Sequence, residues 1–185
     1  GMEGVVPHCI PYNLLITGWA GLAEAKHANA PFRAEEILRQ MFTHQDDGFL
    51  EAAPDRVSYE KVMLAWAASS HQNAGHRAQW WLKKLWKDAE LRGDKNLLPT
   101  VKTYNIVIRA LSKTEGALAA ENLLLDLGDL YREEKSSSFC PNSESFIFVI
   151  RAWLQTIRDE QTRDREECLQ ALDRAVQWLG SFQEI

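Results

Sequence analysis

The sequence predicts an all-α protein, an α-solenoid of antiparallel helix pairs, and three observations carry that prediction. Pro7, Pro54, Pro99 and Pro141 each stand five residues ahead of an aromatic, namely Tyr12, Tyr59, Tyr104 and Phe146. The intervals between these prolines, 47, 45 and 42 residues, fall within the range of helical repeat arrays. Beyond each aromatic, apolar side chains recur at offsets of 3, 4 and 7, which is one stripe of an α-helix. Nothing in the chain reads as a strand.

The first helices follow in order. Tyr12 opens YNLLITGWA with Leu15, Ile16 and Trp19 on the stripe; Tyr59 opens YEKVMLAWA with Val62, Met63 and Trp66. Tyr104 opens YNIVIRALS with Val107, Ile108 and Leu111; Phe146 opens FIFVIRAWL with Val149, Ile150 and Trp153. A small residue, Gly18, Ala65, Ala110 or Ala152, always follows at offset 6 and marks a close helix approach. Ser58, Thr103 and Ser145 precede three of the aromatics, where a hydroxyl is expected to cap the helix. A proline just upstream fits, because helices do not run through it.

A second helix follows each first one, with the form Ala-x-x-apolar-Leu-x-x-apolar. It reads Ala34, Ile37, Leu38, Met41 in the first unit and Ala78, Trp81, Leu82, Leu85 in the second. Ala120, Leu123, Leu124, Leu127 form the third, and Ala175, Trp178, Leu179, Phe182 the fourth. The 185 residues thus form a single helical-repeat domain, 1–185, with repeats at about 8–54, 55–99, 100–141 and 142–185. Length variation is expected in the inner loops at 23–31, 69–75 and 158–167.

Composition narrows the function. Hydrophobic residues make up 45% and charged residues 25%, which excludes a disordered chain or a disulfide scaffold. Cys9, Cys140 and Cys168 form no CxxC pair, as expected of idle thiols in a reducing compartment. No apolar run is long enough to span a bilayer and no signal peptide pattern is present, so a soluble chain without a membrane partner is expected. Gly1-Met2 reads as a tag-cleavage remnant, and four units read as a segment of a longer array. A net charge of −5 excludes a polybasic arm. No nucleophile–base arrangement, phosphate-cradling loop or aspartate cluster occurs. His71 and His76 lack the companions that a metal site needs. The expectation is a non-enzyme with no cofactor, metal or small-molecule substrate. Among seven tryptophans, Trp19, Trp66, Trp153, Trp81 and Trp178 hold stripe positions and are expected in the core. Trp80 and Trp86 do not.

With these residues in view, the chain resembles a pentatricopeptide repeat protein. Tyr12-Asn13-Leu14-Leu15-Ile16-Thr17-Gly18-Trp19 and Thr103-Tyr104-Asn105-Ile106-Val107-Ile108 are its closest copies of the family's first helix, and the units are longer than usual. The Trp-x-x-Leu-Gly start of tetratricopeptide repeats is absent. The resemblance implies first helices lining a concave face and second helices forming the convex back. It also implies that each repeat reads one base of single-stranded RNA through two or three side chains, in a mitochondrion or plastid.

Residue by residue, the resemblance gives that work to Asn13 with Asp55, like the uracil-preferring pair, and to Asn105 with Asn142, like the cytosine-preferring pair. Ile10 and Val57 stand at the position that wedges between bases. The second unit departs from the pattern with Glu60 and Thr100, the fourth with Ile147, and Lys102 and Glu144 replace the apolar wedge. Candidate cations on first helices are Arg109, Lys113 and Arg151, with Lys102 nearby. The denser basic run at 76–95, with Arg77, Lys83, Lys84, Lys87 and Arg92, falls on a second helix and reads as a solvated face. The acidic balance, Glu60, Glu144 and Ile147 also suit a second reading, a helical scaffold for a protein partner. Both readings stand at this point.

Overall fold

The computed structural model describes residues 8–158 and 165–183. Pro7 and the inner loop residues 159–164 lie outside them, as do the side chains of Leu179 and Phe182. Eight α-helices are present among the described residues, and no strand. They are α1 (Cys9–Glu24), α2 (Ala30–Asp46), α3 (Arg56–Ala68), α4 (Ala74–Arg92), α5 (Val101–Thr114), α6 (Ala117–Glu134), α7 (Ser143–Arg158) and α8 (Arg165–Gln183). Contacts divide the chain into two units, 1–99 and 100–185. The division falls where the second expected repeat gives way to the third.

In the first unit α1 packs on α2 and α3, α2 on α3, and α3 on α4. In the second, α5 packs on α6 and α7, α6 on α7, and α7 on α8. Consecutive helices therefore pair, and within each unit the first helix of one pair lies against the first helix of the next. The expected stripe supplies the core: Tyr59, Val62, Met63 and Trp66 on α3 and Tyr104, Val107, Ile108 and Leu111 on α5 are all buried.

The helices start three residues earlier than Ser58, Thr103 and Ser145 suggest. The caps are Asp55, Thr100 and Asn142, the residues directly after the prolines, and the three hydroxyl residues reciprocate from the third helical position. Ser58 N donates to Asp55 Oδ1 at 2.8 Å while Asp55 N donates to Ser58 Oγ at 3.2 Å. This capping box satisfies two orphan backbone donors at once, which one hydroxyl alone does not. Short 3₁₀ turns at Leu50–Ala52, Lys95–Leu97 and Ser137–Phe139 join the pairs and bury Ala52, Leu97 and Phe139.

A polar clamp locks one helix pair to the next in each unit. Glu35, on α2, accepts from Trp66 Nε1 on α3 and Trp81 Nε1 on α4, each at 3.2 Å, from Arg39 Nη2 at 2.7 Å, and from the Arg77 guanidinium. Arg77 also lies over the Trp66 ring, 5.6 Å from its centroid. In the second unit Glu121 on α6, 1% exposed, accepts from Trp153 Nε1 on α7 at 2.7 Å and from Arg174 Nε on α8 at 2.8 Å. Trp178 donates to it as well. Burial pushes both carboxyls up, but the bonds from Arg77 and Arg39, and from Arg174 and Trp178, outweigh it and hold both below the usual range.

Because the folded pKa values are depressed, the clamps contribute stability above the unfolded carboxyl value of about 4.3 and lose it as pH falls through the folded one. Denaturant titrations at pH 7 and pH 3 are expected to show this. Glu35→Gln is expected to cost about 2 kcal/mol at pH 7, below the ~3–5 kcal/mol for breaking a fully buried pair because its guanidinium partners are partly exposed. The same variant is expected to show a shallower acid decline than the parent.

Candidate nucleic-acid interface

The two amide pairs singled out in the sequence meet in space. Asn13 Nδ2, on α1, donates to Asp55 Oδ1 at 3.2 Å and Oδ2 at 3.4 Å. Asn105 Nδ2, on α5, donates to Asn142 Oδ1 at 3.0 Å and to Glu144 Oε2 at 3.4 Å. Each partner is the N-cap of the following first helix, so the cap fixes its direction. Asp55 Oδ1 also accepts from Ser58 Oγ at 2.9 Å, and Asn142 Oδ1 from Ser145 Oγ at 3.2 Å.

The two asparagines differ in what remains available to a ligand. Asn105 is 3% exposed, and its Oδ1 accepts from Ser145 Oγ at 2.7 Å, so both ends of its amide are engaged internally. Asn142 is exposed, and its Nδ2 has no partner among the described residues. Asn13 is half-buried and its Oδ1 is buried without a donor. Leaving such an atom unsatisfied costs about 1–3 kcal/mol. Asp55 Oδ2, which takes only the longer of the two Asn13 bonds, keeps acceptor capacity. The first unit's pair thus presents an acceptor, and the second unit's pair a donor.

The departing positions separate in the same way. Glu60 is 5% exposed, with Arg56 Nε 3.9 Å from its carboxylate, so it faces the fold rather than an open face. Thr100 caps α5. Ile147 is 43% exposed, and Ile10 and Val57 are exposed as well. Lys102 and Glu144 lie on the surface.

The cations converge in the second unit. Arg109, Lys113 and Arg151 line one cavity of about 390 Å³ with Ser112, Phe148, Ala152 and Gln155. Asn105, Arg109 and Lys113 follow at intervals of four along α5, as do Ile147, Arg151 and Gln155 along α7, so the reading position and the cations share a helix face. Arg109 and Arg151 form no ion pair among the described residues.

The basic run of α4 behaves differently from a solvated face. Arg77 joins the Glu35 clamp, Lys84 Nζ bonds Asp88 Oδ2 at 2.6 Å, and Arg92 bonds Pro54 O at 3.0 Å and Gln45 Oε1 at 2.7 Å. Lys83 and Lys87 of that run are exposed, as is Lys95 beyond the end of α4. Asp88 in turn accepts from the buried Tyr59 hydroxyl, whose pKa burial and the Asp88 carboxylate push far up.

No family model matches this chain, and no curated protein matches it. Asp55→Ala is expected to cost about 1–2 kcal/mol by removing the α3 cap, and Asp55→Asn only a few tenths, because Asn caps as well as Asp. Urea unfolding midpoints check both.

Proposed function

We propose that the chain is a non-catalytic α-solenoid of the pentatricopeptide-repeat kind that binds single-stranded RNA along its first helices. One observation carries the reading: Arg109, Lys113 and Arg151 line one cavity, and Arg109 and Lys113 follow Asn105, which bonds Asn142, at intervals of four along α5. Guanidinium groups free of carboxylate partners suit phosphate oxygens, which accept two parallel N–H bonds. Phosphate contact fixes position along the strand, and the amides supply the base preference.

The reading chemistry follows from the hydrogen bonds. Asn142 Nδ2 offers a donor that matches the acceptor edge of cytosine, and Asn105 acts by positioning that amide. Asp55 Oδ2 offers an acceptor that matches the imide N–H of uracil, with Asn13 positioning the carboxylate. Ile10 and Val57 are both exposed, and in this reading they lie against base faces. Base stacking on side chains contributes about 1–3 kcal/mol per base where the platform is aromatic, and an aliphatic wedge contributes less.

Fluorescence anisotropy with pyrimidine-rich and purine-rich single strands tests this. Three phosphate contacts predict a log–log salt slope of about −2 for a single strand, falling to about −0.7 in the Arg109→Ala, Arg151→Ala double variant. Asn142→Ala is expected to erase the preference for cytosine while leaving the slope unchanged. Binding that ignores salt, or a double variant that binds as the parent does, would overturn the RNA reading in favour of a protein-binding scaffold.

A further inference from the structure

The first helix pair carries two of the clamp's three donors, unfilled, with Ile37 where the second indole (Trp81, Trp178) stands. In the second and fourth pairs, the indole at offset 7 of the first helix (Trp66, Trp153) and the arginine just before the second helix's alanine (Arg77, Arg174) both bind a carboxylate from the pair before them. The first pair has the same two residues at the same two positions, Trp19 and Arg33. The third pair has neither, with Leu111 and Ala119 in their places.

Around Trp19 and Arg33 the surface is open. Leu15 is 57% exposed, whereas its counterparts Val62 and Val149 are 0% exposed. Gly18 is exposed, and a Cβ added there would meet nothing, whereas Ala65 and Ala152 at the same offset are buried. Leu15, Gly18, Trp19 and Leu22 form the i, i+3, i+4, i+7 stripe by which a first helix seats on a preceding pair. Trp19 Nε1 has no acceptor among the described residues, and Arg33 reaches only Glu36, three residues along its own exposed face.

We propose that this outer face of α1 and α2 docks a helix pair of the same kind from a partner protein, whose second helix delivers a carboxylate to Trp19 Nε1 and the Arg33 guanidinium. The carboxylate is specified by the two donors, and its apolar surround by Leu15, Gly18 and Leu22. A second copy of this chain does not fit, because Glu35 and Glu121 are engaged in their own clamps. The second and fourth pairs carry Gln79 and Val176 where a carboxylate is needed. The inference goes beyond RNA binding and does not depend on it.

The probe is this chain's own helix pair, residues 8–54, inserted between Pro7 and His8 of the full chain. That placement keeps the interval from Pro7 to Pro54 and brings a second Glu35 ahead of α1. The expected result is an upward shift of the melting midpoint in one cooperative transition, with the Trp19 indole N–H exchanging about tenfold or more slowly. Arg33→Ala in the parent pair, or Glu35→Gln in the added copy alone, is expected to abolish the shift. Arg33→Ala without the insert is expected to leave the midpoint unchanged. An added pair that melts separately, an equal shift with the Gln insert, or loss of helical signal on insertion would each overturn the proposal.

Discussion

A buried carboxylate sets the geometry of each unit. Removing Glu35 or Glu121 from water is costly unless the charge is paired and its lone pairs are filled. Each receives two indole N–H groups and a guanidinium drawn from both helices of the following pair. Apolar stripes hold α3 against α1 and α7 against α5, but such contact has no direction and tolerates sliding. Hydrogen bonds that must converge on two oxygen atoms do not. The clamp therefore fixes which turn of α3 and α4 faces α2, and likewise α7 and α8 against α6. Within each unit, what the first helices expose inherits its spacing from that register.

The caps link folding to the candidate interface. Asp55 and Asn142 end a connection, start the next first helix and receive the amide of the previous one. A residue that caps has its side-chain oxygen committed to the backbone, so only the outer oxygen of Asp55 or the amino group of Asn142 is left over. Asp and Asn cap equally well, so the fold tolerates either while the atom left over inverts from acceptor to donor.

The proline period and the apolar stripe made the helix pairs legible, since both depend on near-neighbour spacing. The meeting of Asn13 with Asp55 and of Asn105 with Asn142 was also within reach, because the repeat places them. Less visible were the clamps. Glu35 follows an alanine on a helix and looks like an ordinary solvated acid; its burial depends on Trp66, Arg77 and Trp81, tens of residues away. The available signal was the recurrence of Glu one residue after Ala34 and Ala120, with Arg one residue before Ala78 and Ala175. Ser58, Thr103 and Ser145 misplaced the helix starts because either end of a capping box carries a suitable oxygen. The α4 basic run gave no hint that Arg77, Lys84 and Arg92 are tied to acceptors on other segments or one turn along.

Net charge is a poor guide to the face this chain offers. Its −5 is a sum over all residues, while exposed charges farther apart than about 8 Å are largely screened at physiological salt. What counts at a binding face is the local population, and the fold sorts it. The guanidiniums of Arg77 and Arg174, and the ammonium of Lys84, are committed to carboxylates on second helices. Arg109 and Arg151 are not so committed, and with Lys113 they border one cavity on α5 and α7. An acidic protein can thus hold a short cationic stripe, because its carboxylates neutralise the arginines that build the fold and leave Arg109 and Arg151 alone.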